Sequence, residues 1–201
     1  MLVRTLASRR LFSSAATAAA EIPAVTTYSK PLRWLHWVQA FGVIGAIGSV
    51  NAAQNQPKTP EGNKAKADIM FAHKSLGTFV LLTFPLRFLA RVATKAPPHL
   101  PIPAVFNLGA AATHLALYGG MLFMGATGVG MAYASGKPLP FFFTSINVVA
   151  NPPQPDNAKQ LYSWHKRVGF WWQFLVPLHV GGAVLHVAQG HKIMARMNPF
   201  I

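Results

Sequence analysis

Four stretches of the chain, about residues 32–53, 71–93, 105–134 and 162–190, are nearly free of charged side chains, and each runs for at least about 20 residues. A helix of that length covers ~30 Å, the thickness of a bilayer's hydrocarbon core. Backbone N–H and C=O groups in lipid find no water, so such a stretch satisfies them only as a helix or inside a closed barrel. Charged residues make up 11% of the chain, roughly half the share in a soluble domain. Burying all four runs inside a water-soluble bundle would leave too little polar surface to cover them. The sequence therefore predicts an all-α integral membrane four-helix bundle. Pro85 and Pro177 fall inside the second and fourth runs and are expected to kink them. The connecting stretches "NQPKTPEGNKAKAD" (55–68), "RVATKAPPHLPIP" (91–103) and the proline-rich segment up to residue 161 read as loops, with "PLPFFF" (138–143) at the membrane interface.

Composition removes several classes of chemistry. The chain has no cysteine, which excludes disulfides, thiolate-held iron–sulfur clusters and covalent haem attachment. Its four acids are Glu21, Glu61, Asp68 and Asp156, none well inside a span, so paired-carboxylate catalysis is not expected in the membrane. The net charge of +14 comes from cations at span ends and in loops. That placement suits anionic lipid head groups or anionic partners, not nucleic acid. The first residues, "MLVRTLASRRLFSSAATAAA", carry Arg4, Arg9 and Arg10 among serines and alanines without an acid. This is the composition of a mitochondrial transit peptide, expected over residues 1–12 with an end that extends up to about 27. The membrane domain is then residues 28–201, and the expected compartment is the inner mitochondrial membrane.

Histidine is the one abundant residue left for chemistry in the spans, and a histidine in lipid is costly unless its ring nitrogens are satisfied. Successive spans alternate direction. His36, near the start of span one, and His73, near the start of span two, therefore lie on opposite sides. His165 begins span four and shares a side with His73, while His179 lies 14 residues further on. That is ~21 Å along the axis, which brings His179 to the depth of His36, and the two project from faces only ~40° apart. Two facing pairs result, His36 with His179 and His73 with His165. Opposed imidazoles from neighbouring helices are what a six-coordinate, non-covalent b-type haem requires. One turn beyond each histidine stands a small residue, Ala40, Gly77, Gly169 and Ala183 respectively, which leaves a shelf for a flat macrocycle. A histidine-bound zinc is the next choice, but it takes three or four ligands at one point. Lys74 and Lys166 each follow a histidine, and Arg87 lies 14 residues after His73. All three are candidates to pair with haem propionates. His114 has Tyr118 one turn on and is a weaker ligand. His99 and His191 are expected in solvent. The glycines 119, 120, 125, 128 and 130 of span three read as close helix packing. Trp172, between His165 and His179 on a similar face, reads mainly as packing.

The motifs "RWLHWV" (33–38), "HKSLGTFVLLTFPLRFLAR" (73–91), "HLALYGGMLFMGATGVGM" (114–131) and "WHKRVGFWWQFLVPLHVGGAVLH" (164–186) resemble the prokaryotic-type, four-helix, di-haem cytochrome b561 family. That family is related to the membrane cytochrome b subunits of hydrogenases and formate dehydrogenases. The resemblance spans roughly residues 28–199. It implies two haem b groups, with iron ligands at the positions of His36, His73, His165 and His179, and single-electron transfer with ubiquinone as a frequent partner. His114 and His186 are expected on the side of His36 and His179, where either would serve a quinone as hydrogen-bond partner. The opposite side carries Lys74, Lys137, Lys159, Lys166 and Arg167. Such a surface concentrates small anions, and together with the family analogy it suggests a superoxide:ubiquinone oxidoreductase. The alternative from a different class is an accessory or anchoring subunit of a larger respiratory complex.

Overall fold

The computed structural model describes residues 27–200, so the expected transit peptide lies outside the described residues. Helix α1 spans Lys30–Gln54, α2 Pro60–Ala93 and α3 Ala104–Ala134. A short hairpin of β1, Leu139–Phe141, and β2, Thr144–Ile146, follows. Helices α4 (Pro155–Trp172), α5 (Leu175–Ala188) and α6 (Ile193–Met197) complete the chain.

Among the described residues, three helical stretches are long and apolar enough to cross a membrane: Pro60–Ala93, Ala104–Ala134 and Pro155–Ala188. Helix α1, at 25 residues, is long enough at ~37 Å. Arg33, His36 and Gln39 dilute its apolar character over the N-terminal half.

The surfaces are arranged for an apolar solvent. Leu82, Leu86, Leu89, Leu108, Leu115 and Leu178 point outward, Leu115 at 75% exposure. Gln39 and Ser75 are fully enclosed, and Arg33, Thr78 and Thr127 are buried with them. A water-soluble domain shows the reverse. Here the polar side chains are the ones that need the interior, because lipid offers them no partner.

Register between the helices is fixed by glycines and by the enclosed polar groups. A Cβ at Gly42 would meet Val80, and one at Gly45 would meet Leu76. Gln39 Nε2 donates to Thr83 Oγ1 at 3.1 Å. These contacts step in opposite directions along α1 and α2, so the two run antiparallel. The same holds for α2 and α3, where Gly125 lies against Leu81 and Tyr118 against Phe84. It holds again for α3 and the last long stretch. Gly120 faces the indole of Trp172, which a Cβ would strike, and Gly130 faces Leu161. Trp172 Nε1 donates to Ala116 O at 3.1 Å. Gly120, Gly125 and Gly130 thus act as close-approach points, whereas Gly119 stands over open space.

Three details differ from the sequence reading. First, residues 60–68 are helical, not loop. Thr59 caps the helix by accepting from Gly62 N at 3.1 Å, Pro60 fits the first turn and Glu61 complements the helix dipole. Helix α2 also continues unbroken through Pro85. Second, the last span is divided at Gln173–Phe174. Pro177 has no N–H to give the carbonyl of Gln173 four residues earlier, so the chain turns there and resumes as α5. Third, the loop after α3 contains the hairpin, paired Leu139 to Ile146. Phe142 N donates to Ser75 Oγ at 2.9 Å and its ring meets Phe79 edge-on, which docks the hairpin on α2 close to His73.

Candidate metal centres

Antiparallel packing brings histidines from distant parts of the chain to two depths. His36 on α1 and His179 on α5 stand with ring centroids 6.2 Å apart and planes at 73°. His73 on α2 and His165 on α4 stand 6.2 Å apart with planes at 88°. A metal bound by two opposed imidazole nitrogens at ~2 Å each, with each ring centre ~1 Å further out, would separate the centroids by ~6 Å. Both pairs fit one metal atom held between two rings. Among the described residues no group of three or more His, Cys, Asp or Glu is placed to hold a metal ion. That weighs against the zinc alternative, which needs such a group.

The second ring nitrogens separate the two centres. His73 Nδ1 lies 2.8 Å from Ala46 O, which can only accept, so Nδ1 carries the proton and Nε2 is free to ligate. His165 Nδ1 lies 2.9 Å from Thr127 Oγ1. The Thr127 hydroxyl gives its own proton to Phe123 O at 2.7 Å, which leaves its oxygen to accept from the imidazole. Both rings are therefore oriented in the way metal-bound histidines are, by an N–H donated to an oxygen behind them.

At His36 the neighbour is a cation. Arg87 Nη2 lies 3.0 Å from His36 Nδ1, and a guanidinium only donates. Ligation through Nε2 needs the proton on Nδ1, so the guanidinium has to turn aside from it when a metal is held. Arg87 Nη1 donates to Gln39 Oε1 at 3.1 Å, the guanidinium lies 5.0 Å over the Tyr118 ring, and Nε is buried without a partner.

The shelf residues are not alike. A Cβ at Gly77 would meet nothing, while one at Gly169 would touch Met124 Cε at 2.7 Å, the flexible end of a side chain. Gly128 faces the His165 ring edge. His114 joins the first centre, its ring centroid 5.1 Å from that of His179, and sits on an exposed helix face. His186 Nδ1 lies 3.2 Å from that of His191, a residue the sequence alone places in solvent. The turn at Gly190, with φ +81°, folds His191 back so that its N–H also reaches His186 O at 2.9 Å. His99, Lys74 and Lys166 are exposed.

Sequence reasoning missed Thr127, Gln39 and His191. Gln39 had a signal, being an amide within an apolar run and about one turn past His36.

Paired imidazoles between lipid-facing helices define a class, helical membrane proteins that hold a metal cofactor in their interior. The chain matches the model of the prokaryotic cytochrome b561 family over residues 27–199, and it belongs to that family. Its members bind b-type haem and transfer electrons in membranes. No curated protein matches the chain.

Proposed function

We propose that the protein is a di-haem cytochrome of the inner mitochondrial membrane, with four spans, that passes single electrons to ubiquinone. The observation that carries this is the pair of 6.2 Å imidazole separations, one at each depth of the molecule. His36 and His179 hold one haem b, and His73 and His165 hold the other. When bound, each supplies a one-electron ferric/ferrous couple buried in low dielectric.

The chain's own residues do the remaining work. Ala46 O and Thr127 Oγ1 orient the His73/His165 pair. Arg87, Lys74 and Lys166 supply cations for propionates. His114 and His186 stand toward the end where a quinone would be reduced and, with no acid available there, serve as its hydrogen-bond partners. His191 keeps His186 in place and shares a proton with it. The donor we favour is superoxide. Lys74, Lys137, Lys159, Lys166 and Arg167 are all exposed at the opposite end, where they attract a small anion. Two superoxide anions release two electrons and leave two molecules of oxygen. The two electrons and two protons convert one ubiquinone to ubiquinol.

The deciding experiment is a dithionite-reduced minus oxidised spectrum of the purified mature protein, with haem quantified per chain. Two b-type haems per chain are expected. A folded protein that binds no haem would overturn the proposal. A superoxide-dependent rate that did not fall with rising salt would overturn electrostatic attraction as the means of donor capture.

A further inference from the structure

We infer that Arg87 makes the haem seated between His36 and His179 the higher-potential of the two, so that the Arg87 end is where electrons collect. This inference rests on the di-haem reading.

Arg87 is a cation whose surroundings are neutral on every side. Its contacts are an amide oxygen, an imidazole and an aromatic face, and its Nε has no partner. Gln39, which would be the natural place for an acid, is fully enclosed and is an amide. The acids on the same helix, Glu61 and Asp68, lie at its opposite end, ~28 Å or more away at the helical rise. Asp156 opens α4, at the His165 end of the molecule. Among the described residues the guanidinium therefore has no counter-ion, and in a low-dielectric interior its charge acts over several ångströms with little screening.

A ferric b-haem carries one more positive charge than the ferrous form. Arg87, still held by Gln39 Oε1 after turning aside from His36 Nδ1, remains a buried cation beside this centre, which disfavours the ferric state and raises the potential. Pairing of Arg87 with a propionate does not reverse the sign, because removal of the cation would still expose the iron to that negative charge. The other centre is built in the opposite sense. His73 and His165 each face an oxygen through Nδ1. That makes the rings stronger donors and favours ferric iron. The lysines beside this pair, Lys74 and Lys166, are exposed, so water and salt screen them.

The test is an equilibrium redox titration of the haem-loaded full-length protein, followed in the visible bands. Loss of one pair at a time, by His36→Ala or His165→Ala, assigns the midpoints. The His36/His179 haem is expected to have the higher one. Arg87→Gln should lower that midpoint and leave the other in place, and Arg87→Lys should restore most of the shift. Gln39→Glu, which sets a carboxylate of similar size against Arg87 and keeps the arginine, should lower the same midpoint. If Arg87→Gln loses its haem, Gln39→Glu and the native order of midpoints still decide. A lower native midpoint at His36/His179, or equal movement of both midpoints in Gln39→Glu, would overturn the inference. A native protein with no haem would instead overturn the reading beneath it.

Discussion

Thr127→Val is the sharpest test of how the His73/His165 centre is organised. Valine has nearly the shape of threonine, so the close packing of α3 against α4 is kept. What is lost is the oxygen 2.9 Å from His165 Nδ1. Thr127 is only 6% exposed, so water cannot take that oxygen's place. A buried N–H that loses its side-chain acceptor, with only the Met124 backbone also near the ring, costs up to about 1–3 kcal/mol. That corresponds to roughly 5- to 150-fold in affinity, the range in which second-shell substitutions lower metal binding. The cost falls on the ligating tautomer, because the neutral ring can otherwise move its proton to Nε2 and cease to be a ligand. The assay is haem loss to an excess of a haem-scavenging protein, with the two haems followed separately by their spectra. One haem is expected to leave faster and the other at the native rate, with Thr127→Ser restoring retention. Equal acceleration of both, or no change, would refute the assignment of Thr127 as the group that orients His165.

His36→Ala is expected to reduce haem content from two per chain to one while the fold survives, as measured by pyridine haemochrome and circular dichroism. Gly120→Val forces a branched side chain into the Trp172 indole, which is fixed by its bond to Ala116 O; a loss of about 1–3 kcal/mol should appear as a lower melting temperature in detergent. Gln39→Leu strips Arg87 and Thr83 of a fully enclosed partner and should cost about 2–3 kcal/mol in the same melt. His186→Ala should slow quinone reduction with the haem spectrum intact; a spectrum altered in the α-band would instead make His186 part of a haem site.

The depths of the four histidines could be reasoned from sequence because they depend on two rigid quantities, the helical rise and the alternation of direction. The shared face expected of His165 and His179 assumed one continuous helix, whereas the chain turns at Gln173–Phe174 between them. Capping signals were present at Thr59, Pro60 and Glu61 but lay within a lysine-rich stretch. The charge suggested loop there, whereas the cap starts a helix that simply projects beyond the lipid. The partners behind the rings were not legible. Ala46 O, Thr127 and Gln39 reach their targets only through the rotation of one helix against the next, and periodicity within a single helix does not contain that rotation. His191 escaped notice because its place depends on one residue of positive φ, Gly190.

The last residues of the chain lie against the first helix. Arg33 Nη1 donates to Asn198 O, and Trp37 Nε1 donates to Met197 O at 2.8 Å. Phe200 meets the Trp34 ring edge-on. Arg33 is 4% exposed, and part of what encloses it lies 165 residues away in sequence. The His36/His179 end can therefore close only once residues 197 and 198 have reached α1, and until then Arg33 lacks part of its cover.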